Sequence, residues 1–154
     1  MKTMKKVLGV LVFCFVFSES SFARCDLSQK TKGLALSLSY DAYSLAYQIE
    51  ADYSDFEVGA YEELDNILNS VYAFAYTSRS LKREIERSRN RCQRPQRTMH
   101  RLQNNYNSLL VGLDEFDYYY LDTDLWFQIS RKVRRLRTLL MHGRDIGGPR
   151  FDEN

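Results

Sequence analysis

The chain has 154 residues, with 22 Lys plus Arg against 20 Asp plus Glu, three Cys and two His. Once the export signal described next is set aside, about 131 residues remain, enough for one domain with a hydrophobic core and too few for two. That signal carries Lys2, Lys5, Lys6 and Glu19, so 19 charges of each sign are left, and composition by itself points to no class of partner.

Residues 1–23 have the three-part layout of a cleaved secretory signal peptide: the three lysines, then the apolar run from Val7 to Phe17, then Ser18-Glu-Ser-Ser-Phe-Ala23. Eleven apolar residues are too few for a membrane anchor, because a helix needs about 20 to cross the hydrocarbon. Lipid attachment at Cys25 is disfavoured by Arg24, which stands where a small residue is wanted. Export places the mature chain in a periplasm or outside the cell. Cys14 leaves with the signal, and an oxidising compartment makes a Cys25–Cys92 disulfide the simplest reading of the remaining pair.

Beyond the signal, apolar residues recur three and four apart, the period of a helix that buries one face. Helix one is expected from about Leu27 to Asp52, capped by Asp26 or Ser28, with Leu34, Leu38, Ala42, Leu45 and Ile49 as its seam. Leu36, Tyr40, Tyr43 and Tyr47 form a second stripe on the same helix, which implies either deep burial or a partner. Helix two is expected from about Glu57 to Asn90, with Leu64, Leu68, Val71, Ala75, Leu81 and Ile85 inside. Pro95 suits the first turn of helix three, followed by Met99, Leu102, Tyr106, Leu109, Leu113 and Phe116. Helix four, Thr123 to His142, presents Leu125, Ile129, Val133, Leu136 and Leu140 and stops at Gly143. Residues 143–154 read as a loose tail.

The expected fold is therefore all-α: a single-domain up-down-up-down four-helix bundle over residues 24–142, preceded by a cleaved signal peptide. The topology constrains the disulfide. The mirror position of Cys25 on a continuous second helix lies near residue 83 or 84, and Cys92 overshoots it by about 12 Å at helical rise. Helix two must therefore end early, kink around Thr77–Ser80, or give way to a segment 88–93 that curls back.

Charge is segregated along this bundle. The two turns at one end collect twelve acids and no base, among them Asp55, Glu57, Glu62, Asp117 and Asp122, mixed with Tyr61, Tyr118, Tyr119 and Trp126. The opposite end and helix four collect Arg83, Arg87, Arg91, Arg94, Arg97, Arg101, Arg131, Lys132, Arg134 and Arg135 among 18 bases, against Asp26, Glu84 and Glu86. Helix-dipole complementarity accounts for helices two and four but not for one and three, whose bases stand at the start and acids at the end. Arg predominates among the bases, and its planar fork suits phosphate and carboxylate. The expected partner of this pole is a protein or an anionic envelope surface. Nucleic acid is disfavoured, since the pole lacks the interleaved aromatics of a base-stacking surface. The aromatic-acidic end suits a protein or glycan contact, or simply closes the core.

Catalytic chemistry finds no footing. There is no Cys-x-x-Cys-His, no Glu-x-x-His pair and no calcium loop, and no Ser or Thr stands beside a recognisable base. The expectation is a binding protein without cofactor and not an enzyme. Two alternatives are kept: a haem or metal-ion bundle using Met99-His100 and Met141-His142, and a chaperone-like binder of client chains.

Overall fold

The computed structural model describes residues 25–53, 61–89, 91–115 and 123–143, with backbone alone at 53, 61–63 and 115. Residues 1–24, with the expected signal peptide, and residues 144–154, the expected tail, fall outside these residues. Four helices and no strand make up the described chain: α1 Gln29–Tyr53, α2 Tyr61–Arg87, α3 Gln93–Glu115 and α4 Thr123–His142.

Local chemistry sets the ends of these helices. Of the two candidate caps of α1, Ser28 is the one used: its Oγ accepts the Thr31 amide at 3.4 Å, while Asp26 Oδ1 holds the Ser28 amide at 2.7 Å. Cys92 opens α3, its carbonyl accepting the Gln96 amide at 2.9 Å. Pro95 follows in the first turn, where a missing N–H leaves no intrahelical bond unmade. Gly143 ends α4 at φ 61°, in the left-handed region that a residue without Cβ adopts cheaply, and its amide reaches the Leu139 carbonyl at 3.2 Å.

The apolar seams meet in one core. Leu38, Ala42, Leu45 and Ile49 of α1, Leu64, Val71, Ala75, Leu81 and Ile85 of α2, Met99, Leu102, Leu109 and Leu113 of α3, and Ile129, Val133, Leu136 and Leu140 of α4 are buried as their spacing predicts. Ile67, Phe74 and Leu139 join them. Among the described residues α1 packs on α2 and α4, and α3 packs on α2 and α4, so each helix has two neighbours and none crosses the diagonal.

Polar pins fix each interface. Between α2 and α3, Thr98 donates to Glu84 at 2.6 Å and the Asn105 amide donates to Thr77 Oγ1 at 2.8 Å. Between α3 and α4, Gln96 donates to the Leu140 carbonyl at 2.8 Å and Tyr106 meets Ser130 at 2.8 Å. Between α1 and α4, the Asp26 amide reaches the Leu139 carbonyl at 2.9 Å and Lys132 bridges Ser37 and Asp41. At each of these interfaces the residue number climbs in one helix as it falls in the other.

Cys25 and Cys92 are joined, with their Cα atoms 5.7 Å apart. The overshoot expected of a long second helix is relieved at its end: α2 stops at Arg87, residues 88–89 and 91–92 are not helical, and Cys92 lies back beside Cys25. No break at Thr77–Ser80 is needed. The hydroxyls of Thr77 and Ser78 instead bond back to the carbonyls of Ala73 and Ala75, both at 2.7 Å, within an unbroken helix.

Candidate binding surfaces

Around the disulfide, the end of α2 and the start of α3 carry Arg87, Arg91, Arg94 and Arg97, all exposed and without a carboxylate partner among the described residues. The three acids of this region are engaged elsewhere. Asp26 holds the Ser28 amide, Glu84 accepts from Thr98, and Glu86 pairs with Lys82 at 3.1 Å. The arginines therefore keep their field at this end. Arg83 and Arg101 are exposed just inside it, and the Arg101 guanidinium donates to Thr98 Oγ1 at 3.3 Å.

On α4 the basic residues run as a stripe away from that end. Arg131, Arg134 and Arg135 are exposed, with the Arg131 guanidinium 5.7 Å from the centre of the Phe127 ring. Lys132 is withdrawn from the set. Its ammonium sits between Ser37 and Asp41 of α1, and both members of the ion pair are less than one-fifth exposed, so this cation ties two helices together.

Of the acidic-aromatic end, Asp55, Glu57, Asp117, Tyr118, Tyr119 and Asp122 lie outside the described residues, as do the side chains of Tyr61 and Glu62. Trp126 is half-buried and stacks on Tyr106, the centroids 5.2 Å apart and the rings 14° from parallel. It closes this end of the core. Glu50, Asp65, Asp114 and Asp124 stand exposed nearby in sequence. The methionine-histidine pairs are divided between core and solvent: Met99 is fully buried and His100 exposed, Met141 half-buried and His142 exposed. Among the described residues there is no group of three or more His, Cys, Asp or Glu able to hold a metal ion, and no helix is long and apolar enough to cross a membrane.

A second feature arises where α1 meets α2. The stripe Leu36, Tyr40, Tyr43 and Tyr47 is not buried as a whole: Tyr43 is half-buried, but Tyr40 is 67% exposed and Tyr47 64%. Across from it α2 offers Tyr72, Tyr76, Arg79 and Arg83, at the same four-three-four spacing. Tyr43 meets Tyr76 edge to face at 6.1 Å, and Tyr72 lies 6.3 Å from Tyr76. An open groove of about 490 Å³ is lined by this α1 stripe and by Arg79, Lys82 and Arg83 of α2, while Tyr72 and Tyr76 lie outside its lining. The Tyr43 hydroxyl is out of solvent without a hydrogen-bond partner, an arrangement that costs about 1–3 kcal/mol. Reading the sequence one helix at a time finds the first wall and misses the second, although the repeated spacing was there to be matched.

Beyond the groove α1 and α2 are tied by Tyr72, whose hydroxyl donates to Glu50 Oε2 at 2.5 Å. That bond, followed by partial burial and the charge of Glu50, raises the phenol from 10.0 to about 12. Because the folded-state value is the higher one, the contribution to stability is present in full below pH 10 and is lost as pH rises through 12. Denaturant unfolding across this alkaline range is expected to show a smaller loss of stability for Tyr72→Phe than for the parent chain. Parallel curves would mean that the bond does not form in solution.

No protein-family model matches the chain, and no curated protein or solved structure is significantly similar to it.

Proposed function

We propose that this chain is an exported helical binding protein: after cleavage of the signal peptide it folds as an up-down-up-down four-helix bundle and works, without catalysis, by contacting an acidic protein or an anionic envelope surface. The observation that carries the reading is the set of exposed arginines about the disulfide, whose neighbouring carboxylates among the described residues, Asp26, Glu84 and Glu86, are engaged with other groups. The opposite numbering sense of the cross-helix pins supports the topology. The Cys25–Cys92 bond supports an oxidising compartment.

The test is co-sedimentation of the chain from Arg24 onward with vesicles of phosphatidylglycerol and of phosphatidylcholine, over a range of salt. Binding to the anionic vesicles alone is expected, and it should vanish as salt rises. Each basic residue near such a surface contributes about 1 kcal/mol, so reversing Arg131, Arg134 and Arg135 to Glu should weaken binding by about a hundredfold or more. Retained binding in that triple variant, with its helix content unchanged, would overturn the α4 stripe as part of the surface. If neither vesicle binds, capture of an acidic protein partner from envelope extract is the expected positive result, again abolished by the triple variant.

A further inference from the structure

The groove between α1 and α2 shares Arg83 with the arginine surface just described, but its construction differs. The α1 wall repeats at four-three-four spacing, and α2 carries the same spacing from Tyr72 to Arg83, the period at which side chains on adjacent helices stay aligned along a common seam. A seam between two helices that is lined at this period is the surface onto which a third helix packs. From Leu36 to Tyr47 it runs for eleven residues, about 16 Å or three turns. It is open along its length, whereas sites for small molecules enclose most of their ligand.

Its chemistry is graded. One side is aromatic, with Tyr43 and Tyr47 at 6.5 Å in a chain of rings that continues outside the lining through Tyr76 to Tyr72. The other side is cationic, with Arg79, Lys82 and Arg83 facing Leu36 and Tyr40. No acid lines the groove, and Arg79 and Arg83 have no carboxylate partner among the described residues. Asp41, the acid of α1 between these tyrosines, is held by Lys132 of α4 instead.

We infer that this groove is the docking site for an amphipathic helix of a partner protein, about three turns long, with apolar residues at four-three-four spacing and Asp or Glu gathered at one end. The inference rests on the reading of the chain as a binding protein but not on the arginines around the disulfide or on α4. Its apolar residues lie against the tyrosine rings, and its carboxylates face Arg79 and Arg83, since Lys82 already pairs with Glu86.

The test uses fluorescence anisotropy with a dye-labelled synthetic peptide of that design, having Leu at the seam positions and Glu at one end, and a twin in which Lys replaces Glu. The Glu peptide is expected to bind about tenfold or more tightly than its twin, and Arg79→Glu should erase or invert the preference. Tyr40→Ser with Tyr47→Ser should weaken the Glu peptide about tenfold. Both rings are mostly exposed, so this variant is expected to keep its helix content by circular dichroism. The α4 triple reversal, which leaves the groove intact, should bind the peptide as the parent does even where vesicle binding is lost. Equal binding of the two peptides, or unchanged affinity in the tyrosine double variant, would overturn the proposal. So would displacement of the peptide by phosphatidylglycerol vesicles in the triple variant, because the groove would then be a lipid contact.

Discussion

Replacing both Cys25 and Cys92 with Ser is expected to cost about 4 kcal/mol of stability, the chain-entropy value for a cross-link spanning 67 residues. The size follows from what the bond encloses: all of α1 and α2 and the turn between them, so its loss frees a large part of the unfolded ensemble. The bond also anchors the residues that lead into α1, where Cys25 and Leu27 pack against the core. Cys25 to Leu27 precede the first helix, and the Asp26 amide reaching Leu139 is their described backbone tie to α4. Unfolding by guanidinium should show the parent chain and the double variant with similar slopes and well-separated midpoints, and reductant should move the parent towards the variant. A parent indifferent to reductant, with two free thiols by mass, would show that the pair stays reduced. The variant should also bind anionic vesicles less tightly, since the disulfide fixes Cys92 between Arg91 and Arg94 and presents those charges already ordered.

The second large effect is expected at Phe74. This ring, fully buried, leans on Tyr106 with centroids 5.9 Å apart, and Tyr106 in turn stacks on Trp126 and bonds to Ser130. One aromatic column thus links α2, α3 and α4. Phe74→Ala removes its support at the α2 side and leaves a cavity, a change that costs about 3–5 kcal/mol in well-packed cores. Because Trp126 is the only tryptophan, its emission reports on the far end of the column. The variant is expected to show a lower unfolding midpoint together with a red-shifted native emission, as Tyr106 relaxes and water reaches the indole. A destabilised variant with unshifted emission would mean that the cavity is closed locally and the column is not coupled.

The helices and their buried faces were legible in the sequence because burial of one face of a helix leaves a period, and four such periods survive here with few interruptions. Residues near helix ends were harder. Asp26 and Ser28 are both good caps, and the choice between them depends on Asp26 being occupied by the Ser28 amide, a contact that spacing alone leaves open. The disulfide illustrates the opposite case, in which distance arithmetic on a continuous helix predicts its own failure, and the early end of α2 resolves it. Lys132 reads as one more basic residue of the stripe until α1 is placed beside it with Asp41 at the same level. Period tells which residues of a helix share a face. It does not tell what lies opposite, which is why the tyrosines of α1 were visible from the start while their counterparts on α2 were not.

The graded groove also has a direction. A docked helix ends in unpaired carbonyls that carry partial negative charge, and cations favour that end. The cations lie towards the start of α1, beside Leu36 and Tyr40, and the rings towards its finish, beside Tyr47. A guest helix whose carboxylates stand in its last turn would settle with its C-terminus over Arg79 and Arg83, antiparallel to α1 and parallel to α2. The surface selects the polarity of its partner as well as its composition.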